Sequence, residues 1–273
     1  MAYKDIVVHL GRDKRSPTRL DAAIALAERH QGRVTGVYVL PDLLYQEYAS
    51  FRIPPNILRE LDVRQRNSAA EVERAFSERI AQTSVQGEWR LMTGDPVDAV
   101  TTIARFADIT IVGQTHDEDD DNVGALADGV VLAAGGPVLV WPYTGSFGIS
   151  PETVTVAWNG SREAKRALTD ALPLLQQASK VIVFGIDTGD SKRIPGADVS
   201  THLTRHGVSV GVQNTVGSSD IDIANILLSA LSDQGAELLV MGAYGHHRLQ
   251  ELLLGGVTLL VLREMTVPVL MSH

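Results

Sequence analysis

Ala107-Asp108-Ile109-Thr110-Ile111-Val112-Gly113 and Ala236-Glu237-Leu238-Leu239-Val240-Met241-Gly242 follow one pattern twice in the same chain. Each has a small residue and an acid, then an apolar, β-rich run that stops at glycine. A run apolar at nearly every position suits a strand covered on both faces, as in a parallel sheet between helices. The repetition extends outward. Before the two runs stand Gly94-Asp95-Pro96-Val97-Asp98-Ala99-Val100 and Gly217-Ser218-Ser219-Asp220-Ile221-Asp222-Ile223. After them come Pro137-Val138-Leu139-Val140-Trp141 and Pro268-Val269-Leu270-Met271.

The same correspondence holds further upstream. Asp5–Val8 and Thr153–Ala157 read as first strands, Val34–Leu40 and Lys180–Ile186 as second, Val85–Met92 and Val208–Gln213 as third. Helical stripes lie between them. Leu20, Ala23, Ile24 and Ala27 follow Ser16 and Pro17, with Ser16 as cap and Pro17 at the first helical position. Ala164, Ala167, Leu168 and Ala171 follow Ser161 as cap. Asp95 before Pro96 has the form of a third cap. Strands alternating with helices predict an α/β fold of two doubly wound five-stranded parallel sheets, each with helices on both faces. The expected division is a first domain over 1–142, a Gly/Ser-rich linker over 143–151 closing on Pro151, and a second domain over 152–273. The halves differ in a polar helical segment, Asn56 to Ala81, that is longer than its counterpart Ala197 to His206, and in an acidic run, Asp117 to Asp121.

Composition bounds the function. The chain has 273 residues, and its Asp plus Glu outnumber Lys plus Arg 33 to 24, a net charge of -9. That balance argues against nucleic acid as the main partner, which needs a basic face. With no cysteine, disulfides, zinc–thiolate sites, iron–sulfur clusters and thiol catalysis are excluded. No apolar run is long enough to span a membrane, and Met1 to Val8 read as a strand and not a secretory leader. A cytoplasmic protein is expected.

Ligands of doubly wound sheets bind beyond the carboxyl ends of the strands. Asn159-Gly160-Ser161 stand there after the first strand of the second half, and Gly242-Ala243-Tyr244-Gly245 after its fourth. The segment His246 to Leu254 leads to Gly255 and Gly256, and Val257, Leu260 and Val261 begin a helical stripe. Glycine turns and a helix N-terminus can converge backbone N–H groups on an anion, with His246 adding a donor at the rim. Glycines after strands are also ordinary turn residues. Neither the Gly-x-Gly-x-x-Gly nor the Walker-type phosphate motif is present.

Gly242-x-x-Gly245, nine residues, then Gly255 resembles the nucleotide motif of the universal stress protein family, which closes on Ser or Thr. Asn159-Gly160-Ser161 resembles the family's first loop, usually Asp-Gly-Ser, and Val267-Pro268-Val269-Leu270-Met271 its last strand. Taken together, nearly the whole chain resembles two such domains in tandem. The resemblance implies ATP or another adenine nucleotide in the second half, held by Asn159, Gly160, Ser161, Gly242, Gly245, His246, Gly255, Gly256 and Val257, with Mg accompanying a bound triphosphate. It also implies an internal pseudo-dimer whose last strands pair antiparallel, and further association to a homodimer. The departures are Asn159 in place of Asp, and Gly256 in place of the hydroxyl residue. The first half departs further, with His116 at the motif's second glycine, Gly124 matching Gly255, and five acids in its loop. It reads as a scaffold that binds no ATP.

No Ser-His-Asp order or general base can be argued, so the expected role is a stress-response protein without dedicated catalysis. The alternatives are an interaction protein that binds no nucleotide, and a weak ATPase. No metal site is expected: the acid run reads as a solvated loop, and His202 and His206 share a helical face without further ligands. Arg162, Lys165 and Arg166 could assist phosphates or face solvent. Trp158 reads as a packed strand end.

Overall fold

The computed structural model describes residues 2–40, 55–115, 126–187, 196–217, 220–245 and 256–273. In chain order the first half holds β1 (Asp5–His9), α1 (Ser16–His30), β2 (Arg33–Leu40), α2 (Pro55–Ala81), β3 (Gln86–Thr93), α3 (Pro96–Ala104), β4 (Ile109–Gly113), α4 (Leu126–Ala133) and β5 (Val138–Trp141). The second holds β6 (Thr153–Trp158), α5 (Arg162–Asp170), α6 (Leu172–Leu175), β7 (Lys180–Asp187), α7 (Gly196–Arg205), β8 (Val210–Val216), α8 (Asp220–Gln234), β9 (Leu238–Gly242), α9 (Val257–Glu264) and β10 (Val269–Ser272).

Two separate five-stranded sheets are not what forms. All the strands belong to one ten-stranded sheet in the order β3-β2-β1-β4-β5-β10-β9-β6-β7-β8. Within each half the pairings are parallel, as in β1 with β2 and β4, and β6 with β7 and β9. The halves join where β10 pairs antiparallel with β5, placing Val269 opposite Val140 and Met271 opposite Val138. The physical cause is the last strand of each half. Val138, Val140, Val269 and Met271 are fully buried, and an apolar strand left as an edge would expose both its side chains and its unpaired amides. Two-fold symmetry reverses strand direction, so two like edges meet antiparallel. The result is a mixed sheet with a single antiparallel seam.

The core follows the sheet and not the halves. On one face Ile6, Leu26 and Leu139 of the first half form one cluster with Val156, Leu168 and Leu270 of the second. On the other, Val7, Val100 and Val130 are continuous with Leu227, Val261 and Val269. Polar bonds reinforce the seam. Gln114 Nε2 donates to the Arg263 carbonyl at 2.9 Å, Tyr3 Oη donates to the Asp170 carbonyl at 2.7 Å, and Arg166 donates to the Gly135 carbonyl. Among the described residues no helix is long and apolar enough to cross a membrane.

Local chemistry explains most element ends. Asp95 caps α3, accepting from Asp98 N at 3.0 Å with Pro96 following, and Ser161 caps α5, accepting from Ala164 N at 3.1 Å. Ser16 does not cap α1: the cap is Arg15, and the Ser16 hydroxyl accepts from Gly11 N at 3.1 Å, tying the helix to the β1 loop. The third strand of the second half starts at Val210, not Val208. Val208 is buried because it closes α7 after left-handed Gly207, its N–H returning to the Leu203 carbonyl at 3.1 Å. An apolar residue after a C-terminal glycine serves the helix stop.

Candidate functional site

The loops after β6 and β9 and the first turn of α5 meet at the carboxyl edge of the second half. Asn159 is exposed, and its Oδ1 accepts from Ser161 N at 3.0 Å. The side chain thus closes its own turn through its acceptor, leaving the amide NH2 outward. Gly160, between them, takes φ +74°. Ser161 then presents its hydroxyl to the Gly245 backbone: a β-carbon on Gly245 would lie 3.3 Å from Ser161 Oγ and 2.9 Å from Glu163 Oε2.

Gly242 has a different reason to be glycine. A β-carbon there would overlap the Ala164 backbone nitrogen and stand 2.5 Å from the Glu163 carbonyl carbon. The residue lets the N-terminal turn of α5 press onto the end of β9. Between the two glycines Tyr244 takes left-handed φ +55°, and its N–H donates to Thr258 Oγ1 at 3.3 Å. Thr258 is buried in the first turn of α9. This bond anchors the glycine loop to the helix whose N-cap is Gly256, where no side chain among the described residues caps the free amides. Asn159, Gly160, Ser161, Gly242, Gly245, Gly256 and Val257 therefore lie on loops and helix starts that the fold joins. His246 and Gly255 lie outside the described residues, as do His247, Arg248, His116, Gly124 and the acids 117–121.

Of the cations suggested by the sequence, Lys165 and Arg166 are bonded away from the glycine loop and Arg162 to Glu163 beside it. Arg166 donates to the His273 carbonyl at 2.8 Å and to Gly135. Lys165 donates to Thr169 Oγ1 at 2.7 Å and reaches His202 Nε2 at 3.4 Å. Arg162, 84% exposed, places Nη2 2.9 Å and Nε 3.0 Å from the same oxygen of Glu163, Oε1. Glu163 itself is only 6% exposed, and sequence periodicity did not single it out. Thr258 and Tyr244 were missed as well. The hydroxyl absent at Gly256 has a neighbour two residues on, which the Gly-Gly-Val-Thr spelling could have suggested. Trp158 is buried, as a packed strand end should be, with no partner for its Nε1 among the described residues. His202 and His206 do lie together, with ring centroids 4.7 Å apart, and no cluster of three metal-ligating side chains occurs among the described residues.

The corresponding edge of the first half is furnished differently. Gly113 ends β4 as Gly242 ends β9, but a β-carbon on it would meet Arg19 Nη1 at 2.7 Å. Arg19 is 3% exposed and grips Asp13 with both terminal nitrogens, Nη1 to Oδ1 at 2.8 Å and Nη2 to Oδ2 at 2.6 Å, while Nε donates to the His9 carbonyl at 3.1 Å. Burial tends to raise the Asp13 carboxyl, but the hydrogen bonds and charge of Arg19 outweigh it and hold it below the usual range. Burial, and then the Arg19 charge, push the His9 imidazole down to about 3, so it is neutral. An ion pair of buried Arg19 and partly buried Asp13 stands at this edge, where the described residues of the second half bring the α5 backbone, the Ser161 hydroxyl and the Glu163 carboxylate.

Doubly wound halves of strand order 3-2-1-4-5, with a glycine loop after the fourth strand, define a class of α/β proteins with sites at the carboxyl edge. Residues 151–273 match the Universal stress protein family. The chain is 34% identical to a universal stress protein of Mycolicibacterium smegmatis over 112 residues, 41% of this chain and 82% of that one. It is 25% identical to the universal stress protein Slr1230 of Synechocystis over 188 residues, 65% of this chain, and spans 62% of that relative's length. In fold it is similar to a universal stress protein from Archaeoglobus fulgidus, with TM-score 0.77 and 17% identity over 98% of this chain and 95% of that one. The chain belongs to the universal stress protein family.

Proposed function

We propose that the second half binds one adenine nucleotide per chain, and that the protein acts in a stress response through that binding and not through dedicated catalysis. The observation that carries this reading is the backbone cradle. Gly245 lies against Ser161, the loop is tied through Tyr244 to Thr258, and the uncapped start of α9 stands beside it. Free amides at a helix start with a glycine turn favour an anion. Family membership supports the same reading. The filled edge of the first half supports one site and not two. Asn159, with its amide outward, would meet the nucleoside, and Gly245, Gly256 and Val257 a phosphate.

Isothermal titration of the full chain with adenosine, AMP, ADP and ATP tests this. One site is expected. Gly245→Arg should remove it, because the new side chain fills the cradle and can pair with Glu163. The φ of Gly245 lies outside the left-handed region, so the variant should lose no more than about 1–2 kcal/mol of stability. Gly256→Ser adds back a hydroxyl at backbone angles serine can adopt, φ -50° and ψ 174°. It should tighten binding of a phosphate-bearing ligand by about 1 kcal/mol, roughly fivefold. Two equivalent sites, or affinities untouched by both changes, would defeat the proposal. An interaction protein without a nucleotide is the second reading. The inward Asn159 Oδ1 and the missing hydroxyl at Gly256 favour it, and the absence of binding of every one of these ligands would favour it over the nucleotide reading.

A further inference from the structure

We infer that Glu163 makes this site select against polyphosphate, so that it takes nucleosides and their monophosphates in preference to triphosphates. The inference rests on the nucleotide reading of the same site and specifies its ligand. Glu163 is almost wholly buried, and its Oε2 is the nearest atom to the position a β-carbon on Gly245 would occupy, at 2.9 Å. Both Arg162 contacts fall on the other oxygen, Oε1. Oε1 is therefore the oxygen paired with exposed Arg162, and Oε2 the one beside the glycine loop.

The carboxylate is held where it is. It belongs to the first turn of α5, where free backbone amides favour negative charge. The other two cations of α5 are engaged: Lys165 is bonded to Thr169, and Arg166 to the His273 and Gly135 carbonyls. A phosphate using the Gly245 amide would thus sit beside the Glu163 oxygen that Arg162 does not touch, and Arg162, paired to the far oxygen and 84% exposed, offsets that like charge only in part. Such pairs are weakly screened, and the repulsion grows with every phosphate added. A nucleoside carries none of this penalty.

The test is titration of the full chain in the presence of a metal chelator, with adenosine, AMP, ADP and ATP, for the natural protein, Glu163→Gln and Glu163→Asp. The natural protein should bind adenosine at least about tenfold more tightly than ATP. Glu163→Gln keeps the shape and removes the charge. It should raise ATP affinity by about tenfold or more while changing adenosine by less than about twofold. Glu163→Asp retains the charge and should retain the discrimination, and thermal melts of all three report folding. ATP binding the natural protein as tightly as adenosine, or an ATP-to-adenosine ratio unmoved in Glu163→Gln, overturns the inference and leaves the nucleotide site standing. Failure of every ligand with every variant overturns the nucleotide reading itself. A repeat with magnesium in place of chelator completes the test. ATP binding that appears only with magnesium and is lost in Glu163→Gln would make Glu163 a metal ligand and refute charge exclusion.

Discussion

The carboxyl edges of the two halves are built on the same strand order and furnished oppositely. Beside Gly113 a long side chain, Arg19, turns inward and brings Asp13 with it. Beside Gly242 a helix backbone fills the space, and the nearby charge is the Glu163 carboxylate under Gly245. In one half the edge is closed by an internal ion pair. In the other, among the described residues, the glycine loop is backed by main chain, a serine hydroxyl and a carboxylate. A strand order shared by both halves sets the same carboxyl edge in each, while the side chains at the strand ends furnish the two edges differently.

The comparison can be broken most forcefully at Arg19. Arg19→Ala leaves the partly buried Asp13 without its charged partner, and unfolding in urea should show a loss of about 3 kcal/mol. Replacing both residues by apolar ones of similar size, Arg19→Met with Asp13→Leu, should recover more than half of that loss. A single-variant cost near zero would mean the pair does not fill the first edge.

The glycines give the next largest contrast. Gly242→Ala sets a methyl group against the α5 backbone, which cannot move without its helix, and should cost about 2–3 kcal/mol. Gly113→Ala meets only the end of a side chain and should cost about 1 kcal/mol. Equal losses in denaturant titrations would remove the distinction between a backbone-packed and a side-chain-filled edge.

The smallest effect is a pH slope. His9 titrates near 3 in the folded protein, below the unfolded value of 6.5. The unfolded chain therefore takes up the proton first as pH falls, and stability declines from about pH 6.5 towards 3, by about 1 kcal/mol between pH 6 and pH 5. His9→Gln should reduce that slope, leaving the smaller part that His30 and His202, also held below their usual value by burial, contribute. Asp13 contributes its stability above its unfolded value near 4 and loses it at lower pH, so measurements above pH 5 separate the two. A slope unchanged in His9→Gln would show that His9 is not the neutral group its burial requires.

Much of the site's framework was legible in the chain. Asp95 and Ser161 announced their caps because capping is a contact over three residues. Gly242, Gly245 and Gly256 stood where strands end and a helix begins, and the structure does bring their loops together. Ser16 and Val208 misled because a serine before a helix and an apolar residue after a turn each have two uses, and distant partners select between them. Ser16 was taken by Gly11, and Val208 by the end of α7. Glu163 could not be found by periodicity. It is a charged residue beside an exposed arginine on a helix start, a position that ordinarily faces water.

What the sequence determined by itself was the alternation of strand and helix, its repetition, and the apolar last strands that could not remain edges, because these are properties of short windows. The antiparallel pairing of the last strands was expected and forms; the tertiary structure decided its register, Val269 opposite Val140 and Met271 opposite Val138, and that the pairing makes the two expected sheets one. The same holds for the filling of the two edges. Whether Arg19 turns towards Gly113, or Glu163 towards Gly245, depends on which backbone the folded sheet sets opposite each helix. A buried charge is tolerated only where that three-dimensional setting supplies its partner.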